Sequence, residues 1–304
     1  MQLSERLQKI ISMVTPGLIT ADIGTDHGYV PIELVSRDIA PRVIAMDVNK
    51  GPLKKAEGNI KRAGLSDFIE LRLSDGLKNL EKDEAQCVII AGMGGLLIRR
   101  ILEDDFDKVS RLKEMILSPH SDIDEVRRFL TENGFVIEKE DMLVEEGKYY
   151  TIIKAVRGES DTYSDAELKY GRYLLNTRNK TLFDFLMKEN NQLEKIALTL
   201  KDKSGEKAAA RMQEIRQEKD VIQHAMSYYM NDASECSVSY SDAGNQHEMS
   251  FEEKEKQYGM AFEETETQHE MTSEEAETQH VVTSEEKETQ HGMTSEETDV
   301  KWQA

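Results

Sequence analysis

The chain has 304 residues, of which 38% are hydrophobic, so it can bury one large core or two modest ones. Its N-terminus lacks a basic region followed by an apolar run, and no segment approaches the length of a membrane span. The two cysteines, Cys87 and Cys236, lie far apart, which argues against a disulfide-stapled secreted domain. We therefore expect a cytoplasmic protein without membrane contact.

The net charge of −20 is unevenly distributed along the chain. Residues 241–304 contain 18 acidic and 4 basic residues, which gives −14. Subtraction from the totals leaves 41 acidic and 35 basic residues, or −6, for residues 1–240. The body of the chain therefore has an ordinary charge, which does not exclude a nucleic-acid partner.

Residues 1–157 alternate between strand-like and helix-like segments. The strand-like runs are 18–24, 42–48, 69–75, 87–92 and 114–118. Apolar residues at helical spacing lead up to Gly64 and again to Gly134, two natural stop signals. This alternation predicts a parallel, doubly wound (Rossmann-like) α/β sheet. Two further strand-like runs around "EEGK" (145–148) predict an antiparallel hairpin that closes the sheet.

Residues 158–232 are predicted to form a second, helical domain. Leucines recur every seven residues with one step of four, the spacing of a coiled-coil seam with one insertion: Leu168, Leu175, Leu182, Leu186, Leu193 and Leu200. A polar turn at 201–207, followed by another amphipathic run, favours an antiparallel helical hairpin. A single long helix or a zipper between two copies is the alternative.

Residues 233–304 carry an internal repeat. The segments "ETQHEMTSEEA", "ETQHVVTSEEK" and "ETQHGMTSEET" follow one another with a period of 11. Acids dominate and few residues are apolar, which favours a disordered, acidic low-complexity tail over a helical array. The repeat histidines would have no fixed geometry there, so we expect no metal site.

Acids and glycines cluster where the predicted strands end. In doubly wound sheets, ligands bind beyond the carboxyl ends of the strands. The residues at these ends are Asp22, Gly24, Asp26, His27 and Gly28 after the first strand, Asp47 and Asn49 after the second, Ser74, Asp75 and Gly76 after the third, and Gly92, Met93, Gly94 and Gly95 after the fourth. One ligand site is expected at this edge of the sheet.

Asp47 indicates a ribose at this site. An acid about 20 residues after a glycine turn can accept hydrogen bonds from both hydroxyls of a ribose, a spacing that fits NAD enzymes equally well. A dinucleotide site needs three glycines around a pyrophosphate, whereas here Asp26 lies between Gly24 and Gly28 and would repel it. Carboxylates suit a ligand with sulfonium and ammonium groups, which favours S-adenosylmethionine.

The motifs "DIGTDHG", "AMDVN", "LSDGL" and "AGMGG", in this order, resemble a class I S-adenosylmethionine-dependent methyltransferase. More narrowly, "LSERL", "DIGTDHGY", "AGMGG", "SPHSD" and "EEGKYYTI", followed by a helical hairpin, resemble the bacterial tRNA (adenine-22 N1)-methyltransferase family. The resemblance covers about residues 1–230 and implies tRNA as the partner. A monomer without a metal is expected.

The resemblance implies roles for individual residues. Gly24 would let the backbone approach the methionine portion of the donor, Asp47 would bind the ribose, and Asp75 the adenine amino group. The full set of expected donor-binding residues is Asp22, Gly24, Gly28, Asp47, Ser74, Asp75, Gly76 and Gly92. Asp26, His27, Tyr29 and Met93 are expected around the target base, with Tyr29 stacking on it.

Other interpretations of these residues stay open. Asp22 can be a structural acceptor for loop amides, His27 can bond its own loop, and Met93 can be simple packing. His120 is interpreted as structural. Two other functions also stay open: a nucleotide-binding module without catalysis, and a methyltransferase that acts on a protein or a small molecule.

Overall fold

A computed structural model describes residues 3–201 and 205–230, which belong to one compact unit. The predicted tail and the centre of the polar turn at 201–207 lie outside the described residues. The predicted boundary between a domain of residues 1–157 and one of residues 158–232 stays a prediction.

Seven strands form one sheet in the order β3-β2-β1-β4-β5-β7-β6. The strands are β1 Thr20–Ile23, β2 Val43–Asp47, β3 Ile69–Leu73, β4 Cys87–Met93, β5 Glu114–Pro119, β6 Phe135–Glu145 and β7 Lys148–Arg157. The first five are parallel to one another, and β7 runs antiparallel between β5 and β6. This confirms the predicted doubly wound α/β fold.

Helices cover both faces of the sheet, and each face has its own apolar cluster. Their bounds are α1 Glu5–Met13, α2 Tyr29–Ser36, α3 Lys50–Ala63, α4 Gly95–Asp104, α5 Phe106–Val109, α6 Ile123–Glu132, α7 Asp165–Tyr170, α8 Arg172–Asn176, α9 Lys180–Lys201 and α10 Glu206–Met230. As predicted, α3 stops at Gly64, whose φ of 71° is the left-handed conformation that ends many helices.

The predicted hairpin at the sheet edge is present. Glu146 and Gly147, the two residues between β6 and β7, have φ values of 51° and 72°. Two successive positive φ angles give a tight turn whose twist matches that of the flanking strands. Because β7 pairs with β5, the hairpin completes the sheet beyond its parallel part.

The predicted leucine seam does not lie on one continuous helix. Gly171 has a φ of 95° and Arg178 a φ of 50°, so the chain breaks between α7 and α8 and again before α9. Leu168 and Leu175 therefore lie on separate short helices, and the seam from Leu182 onward lies on α9. The spacing of seven counts residues but does not detect a left-handed residue between them.

Helices α9 and α10 lie side by side and antiparallel. The rings of Phe183 and Tyr229 are 5.1 Å apart near one end of the pair, and farther along Nζ of Lys219 lies 2.8 Å from Oε1 of Glu194. The seam leucines of α9 pack with Ile215 and Ile222 of α10 in a third apolar cluster. The seam is thus covered by this same chain.

No helix in residues 3–201 or 205–230 combines the length and apolar character needed to cross a bilayer. Within the same residues, no three His, Cys, Asp or Glu side chains are grouped so that they could hold a metal ion. Cys87 is a free thiol buried in β4.

Candidate active site

The ends of strands β1, β2 and β3 are tied together by backbone hydrogen bonds. The N–H groups of Gly24 and Thr25 donate to the carbonyl oxygen of Met46 at 2.8 and 2.9 Å, and that of Ser74 donates to Asp47 at 2.9 Å. Between β1 and β4 the strand order reverses, because β2 lies on one side of β1 and β4 on the other. The predicted ligand residues therefore flank the position where doubly wound sheets bind ligands.

The loop after β1 turns through three left-handed residues. Gly24, His27 and Gly28 have φ values of 79°, 60° and 69°. Nδ2 of Asn59 donates to the carbonyl oxygen of His27 at 2.7 Å, which anchors the loop to α3. A β-carbon on Gly28 would lie 3.1 Å from Cβ of Ala56, so glycine permits the close approach of α2 and α3.

Gly24 and Met93 are brought together from two different motifs. A β-carbon on Gly24 would overlap the Cε atom of Met93, so the thioether side chain lies directly over the Gly24 backbone. Met93 is partly buried and packs against the apolar cluster on one face of the sheet. Gly24, expected beside the donor, thus contacts Met93, expected beside the target base.

Two aromatic rings stack at the rim of the same loop. The centroids of His27 and Tyr29 are 5.2 Å apart, and their planes are inclined by only 13°. Asp26 is beside them, with Oδ1 3.5 Å from Nε2 of His27 and 71% of its side chain exposed. The structure therefore groups three of the four residues expected around the base, and the fourth, Met93, contacts Gly24 of the same loop.

Asp22 and Asp47 supply two carboxylates with different surroundings. Asp22 is only 6% exposed, and its burial, together with the charge of Asp47, raises its pKa to about 6. Asp47 is half-buried, and its Oδ1 accepts a hydrogen bond from the N–H of Asn49 at 2.6 Å. A cation bound between them would favour the ionised form of Asp22.

Thr25 is a site residue that the sequence did not reveal. It is 1% exposed, and its hydroxyl lies beside the Asp22 carboxylate, where it lowers the pKa of that group. Thr25 therefore favours the ionised form of Asp22, the form that suits a cationic ligand. Threonine is common in strands and turns, and nothing in its position distinguished it beforehand.

The predicted residues Ser74 and Asp75, in the loop after β3, have different surroundings. Ser74 is used within the loop, because its Oγ donates to the carbonyl oxygen of Gly76 at 2.9 Å and accepts from the N–H of Asn79 at 3.1 Å. Asp75 is exposed and pairs with Lys78 at 2.5 Å, which lowers its pKa. Asp75 and Gly76 line a cleft of about 270 Å³ together with Arg100 of α4. The side chain open to a ligand here is Asp75.

The "AGMGG" motif is explained by close packing against the loop after β5. Gly92 has a φ of 79° next to a bulge in β4. A β-carbon on Gly95 would overlap the carbonyl oxygens of Ser121 and Asp122, and its N–H donates to Ser121 at 2.9 Å. The N–H of His120 in turn donates to the carbonyl oxygen of Met93 at 2.9 Å. The glycines thus hold Met93 between the ends of β4 and β5.

Comparison with known proteins identifies the family of the chain. A family model described as tRNA (adenine(22)-N(1))-methyltransferase matches residues 20–224. The tRNA (adenine(22)-N(1))-methyltransferase of Bacillus subtilis (strain 168) is 34% identical over 199 residues, which are 64% of this chain and 82% of that relative.

Two solved structures extend the comparison to the cofactor. Streptococcus pneumoniae Sp1610 in complex with S-adenosyl-L-methionine is 32% identical with a TM-score of 0.67, over 74% of this chain and all of that one. M. capricolum TrmK in complex with S-adenosyl-homocysteine is 26% identical with a TM-score of 0.67, over 75% of this chain and 99% of that one. The predicted resemblance is confirmed: the chain belongs to the tRNA (adenine(22)-N(1))-methyltransferase family, whose members are S-adenosylmethionine-dependent enzymes acting on tRNA.

Proposed function

We propose that this chain methylates N1 of adenine 22 in tRNA at the edge of the sheet where Gly24 and Met93 meet. The observation that carries this assignment is the contact between these two residues, because it joins the expected donor loop to the loop expected beside the base. Labelled donor should transfer its methyl group to tRNA and not to a tRNA in which adenine 22 is replaced by guanine. Transfer that resists ribonuclease would indicate a protein or small-molecule substrate, and donor binding without transfer would indicate a binding module.

The residues at the strand ends fit S-adenosylmethionine. Gly24 has no side chain, so a ligand that displaces the flexible end of Met93 can approach its backbone, while Asp22, beside Thr25, and Asp47 offer carboxylates. In the proposed site Asp47 accepts the ribose hydrogens, Asp75 accepts from the adenine amino group, and Asp22 faces the positively charged part of the donor. When bound, S-adenosylmethionine supplies an activated methyl group on its sulfonium.

The chain's own residues would then orient the acceptor. N1 of adenine carries a free lone pair at neutral pH, so the reaction needs alignment more than it needs a base. Tyr29 and His27 provide a flat aromatic surface for the base, which must leave its helix because N1 lies on its pairing edge. Asp26 would stabilise the positive charge that methylation leaves on the ring.

Tyr29→Ala and Met93→Ala should each lower turnover by about 5- to 150-fold, because loss of a stacking or aligning contact costs about 1 to 3 kcal/mol. Donor affinity should change by less than about threefold, since the proposed partner of both side chains is the base. Single-turnover rates and calorimetric donor binding separate the two effects. Phe68→Ala is the control, because it removes an exposed ring just before the first residue of β3, at the end of the strand away from the proposed site. Loss of donor binding alone would place the base elsewhere.

The helical segment, residues 158–232, is proposed to hold tRNA while residues 1–157 bind the donor. Two sets of its cations differ in their partners. Lys169, Arg211 and Lys219 pair with Glu189, Glu218 and Glu194. Lys180, Lys207 and Arg216 are exposed and form no ion pair within the described residues. The second set is the better candidate for phosphate contacts, because its charges are not already compensated.

Replacing Lys180, Lys207 and Arg216 together by glutamine should weaken tRNA binding and reduce its salt dependence by up to about three ion equivalents. The matched triple change of Lys169, Arg211 and Lys219 removes the same formal charge but should reduce the slope by less than about one. Filter binding over a series of salt concentrations measures both. Slopes equal to that of the wild type in both variants would remove the helical segment from tRNA recognition.

We also propose that the chain acts as a monomer in the cytoplasm. The seam from Leu182 to Leu193 packs with Ile215 and Ile222 of the same chain, which leaves it covered and unsuited to a zipper between two copies. The compartment follows from the substrate, because tRNA is modified where it is made and used.

A further inference from the structure

A second group of side chains lies beside the proposed reaction centre and has no part in donor binding. We call it the Arg6–His120 cluster, after the two residues at its centre, with Lys148 and Tyr150 around them. Nη1 of Arg6 lies 2.9 Å from Nε2 of His120, and its guanidinium lies 4.8 Å from the centroid of the Tyr150 ring. The His120 and Tyr150 rings meet edge to face at 5.6 Å. Residues from α1, β7 and the end of β5 thus form one group.

The contact with Arg6 determines which ring nitrogen of neutral His120 carries the proton. A guanidinium can only donate, so Nε2 of His120 accepts and the single proton of the neutral ring lies on Nδ1. The pKa of His120 is lowered by partial desolvation and by the positive charges of Arg6 and Lys148, which also keeps the ring neutral. Within the described residues, Nδ1 has no hydrogen-bond partner. His120 therefore presents an unused N–H donor.

The cluster offers donors and positive charge but few acceptors. The Nε atom of Arg6 is buried and unpartnered among the described residues. Lys148 is exposed, and among the described residues the nearby carboxylate of Glu145 accepts only the backbone N–H of Arg6, at 3.3 Å. Both charges that act on the His120 ring are positive. An anionic ligand with several acceptor oxygens is the chemistry that matches this surface.

The position of the cluster identifies the source of the anion. A β-carbon on Gly92 would lie 3.9 Å from Cε1 of His120, and the backbone N–H of His120 donates to Met93. His120 therefore adjoins the loop that carries Met93. A nucleotide whose base enters the slot at Met93 brings its own phosphates to the surrounding rim.

We propose that the Arg6–His120 cluster binds one of the two phosphates that flank the target adenine, with Arg6 and the Nδ1–H group of His120 donating to its oxygens. The contact would hold the backbone while the base is turned out of its helix. This proposal rests on the proposed function, since it takes the slot at Met93 as the place of the base. It adds a tRNA contact on the donor-binding part of the chain, separate from the helical segment.

The test compares Arg6→Gln and His120→Ala with Lys9→Gln, a control on the same helix whose ion pair with Asp141 lies outside the cluster. Both cluster variants should weaken tRNA binding about tenfold, and Arg6→Gln should also reduce the salt slope by about one ion equivalent. Arg6→Lys should keep the slope, because it keeps the charge. Donor affinity should stay within about twofold and the thermal midpoint within about 2 °C of the wild type, because Arg6 is only partly buried and His120 is exposed.

An RNA with a neutral methylphosphonate on either side of adenine 22 gives the deciding measurement. At one of the two positions the wild type should lose about tenfold in affinity, and Arg6→Gln should lose nothing further, because both changes remove the same contact. Additive losses at both positions would overturn the proposal, as would a fall in donor affinity or thermal midpoint with tRNA binding unchanged. If the wild type shows this pattern of binding but transfers no methyl group, the phosphate contact stands and the proposed function fails.

Discussion

Replacement of Arg127 by alanine is expected to lower the free energy of unfolding by about 3 to 5 kcal/mol, because it leaves a buried carboxylate without its partner. Arg127 on α6 and Glu140 on β6 are 1% and 2% exposed, and Nε of the arginine donates to Oε1 of the glutamate at 2.8 Å. The cost is large because the low local dielectric that strengthens such a pair also penalises an unpaired charge.

The same guanidinium also caps α7. Nη1 of Arg127 donates to the carbonyl oxygens of Leu168 and Lys169 at 2.8 and 2.7 Å, near the end of that helix where the last carbonyls lack partners. A β-carbon on Gly171 would overlap Oε2 of Glu140 and lie 2.8 Å from Nη2 of Arg127. Arg127 therefore links the sheet to the first turns of the helical segment.

Denaturant unfolding followed by circular dichroism measures this effect. Arg128→Ala is the matched control. The Arg128 side chain is 43% exposed and its Nε lies 3.7 Å from Oε1 of Glu125, so this replacement should cost less than about 1 kcal/mol. A double change of Arg127 to Met and Glu140 to Leu should recover most of the loss, since it removes both buried charges. A loss below about 1 kcal/mol for Arg127→Ala would mean that Glu140 becomes protonated or hydrated at little cost.

Sequence patterns predicted the sheet, and they place the proposed ligand residues at one end of it, because both follow from local rules. Strand and helix alternate with short links, and strand order then places the carboxyl ends of β1 to β4 at one edge. That rule selects Gly24, Asp47 and Met93 only as members of the strand-end group, and the family resemblance implies the separate roles of Gly24 and Met93. The lateral contact of Gly24 with Met93 depends on the register of β1 and β4, which no local pattern contains.

Contacts between distant segments could not be predicted in this way. Arg6 and His120 are 114 positions apart, and Arg127 reaches Leu168 across 41 positions. In the sequence, Arg6 belongs to an amphipathic helix and Arg127 to a charged helix face, where most arginines lie in solvent. The breaks at Gly171 and Arg178 were missed for a related reason, since heptad spacing continues across them. Burial and backbone conformation at these positions are decided by what packs against them.

Replacement of Asp47 by alanine is expected to weaken donor binding by about 2 to 4 kcal/mol, or about 30- to 900-fold, because two charge-assisted hydrogen bonds to the ribose are lost together. Folding should survive, since Asp47 is half-buried at a strand end and its side chain bonds only the N–H of Asn49 among the described residues. Asp67→Ala removes an exposed acid near the opposite end of β3 and should leave donor affinity unchanged.

Asp47→Asn removes the negative charge of the side chain but keeps one acceptor oxygen. An amide oxygen can still bond the N–H of Asn49, so the loop keeps its shape while the ribose loses one acceptor and the negative charge. Asp47 also raises the pKa of Asp22, so either change makes Asp22 more fully ionised at neutral pH. Because a pKa of about 6 already leaves Asp22 mostly ionised at neutral pH, this change adds little charge, and the loss should fall on the ribose. Calorimetry with S-adenosylmethionine and with an analogue lacking the ribose 2′-hydroxyl tests that division. If Asp47→Ala weakens both ligands equally and strongly, Asp47 acts through the charge balance of the site and not through the ribose.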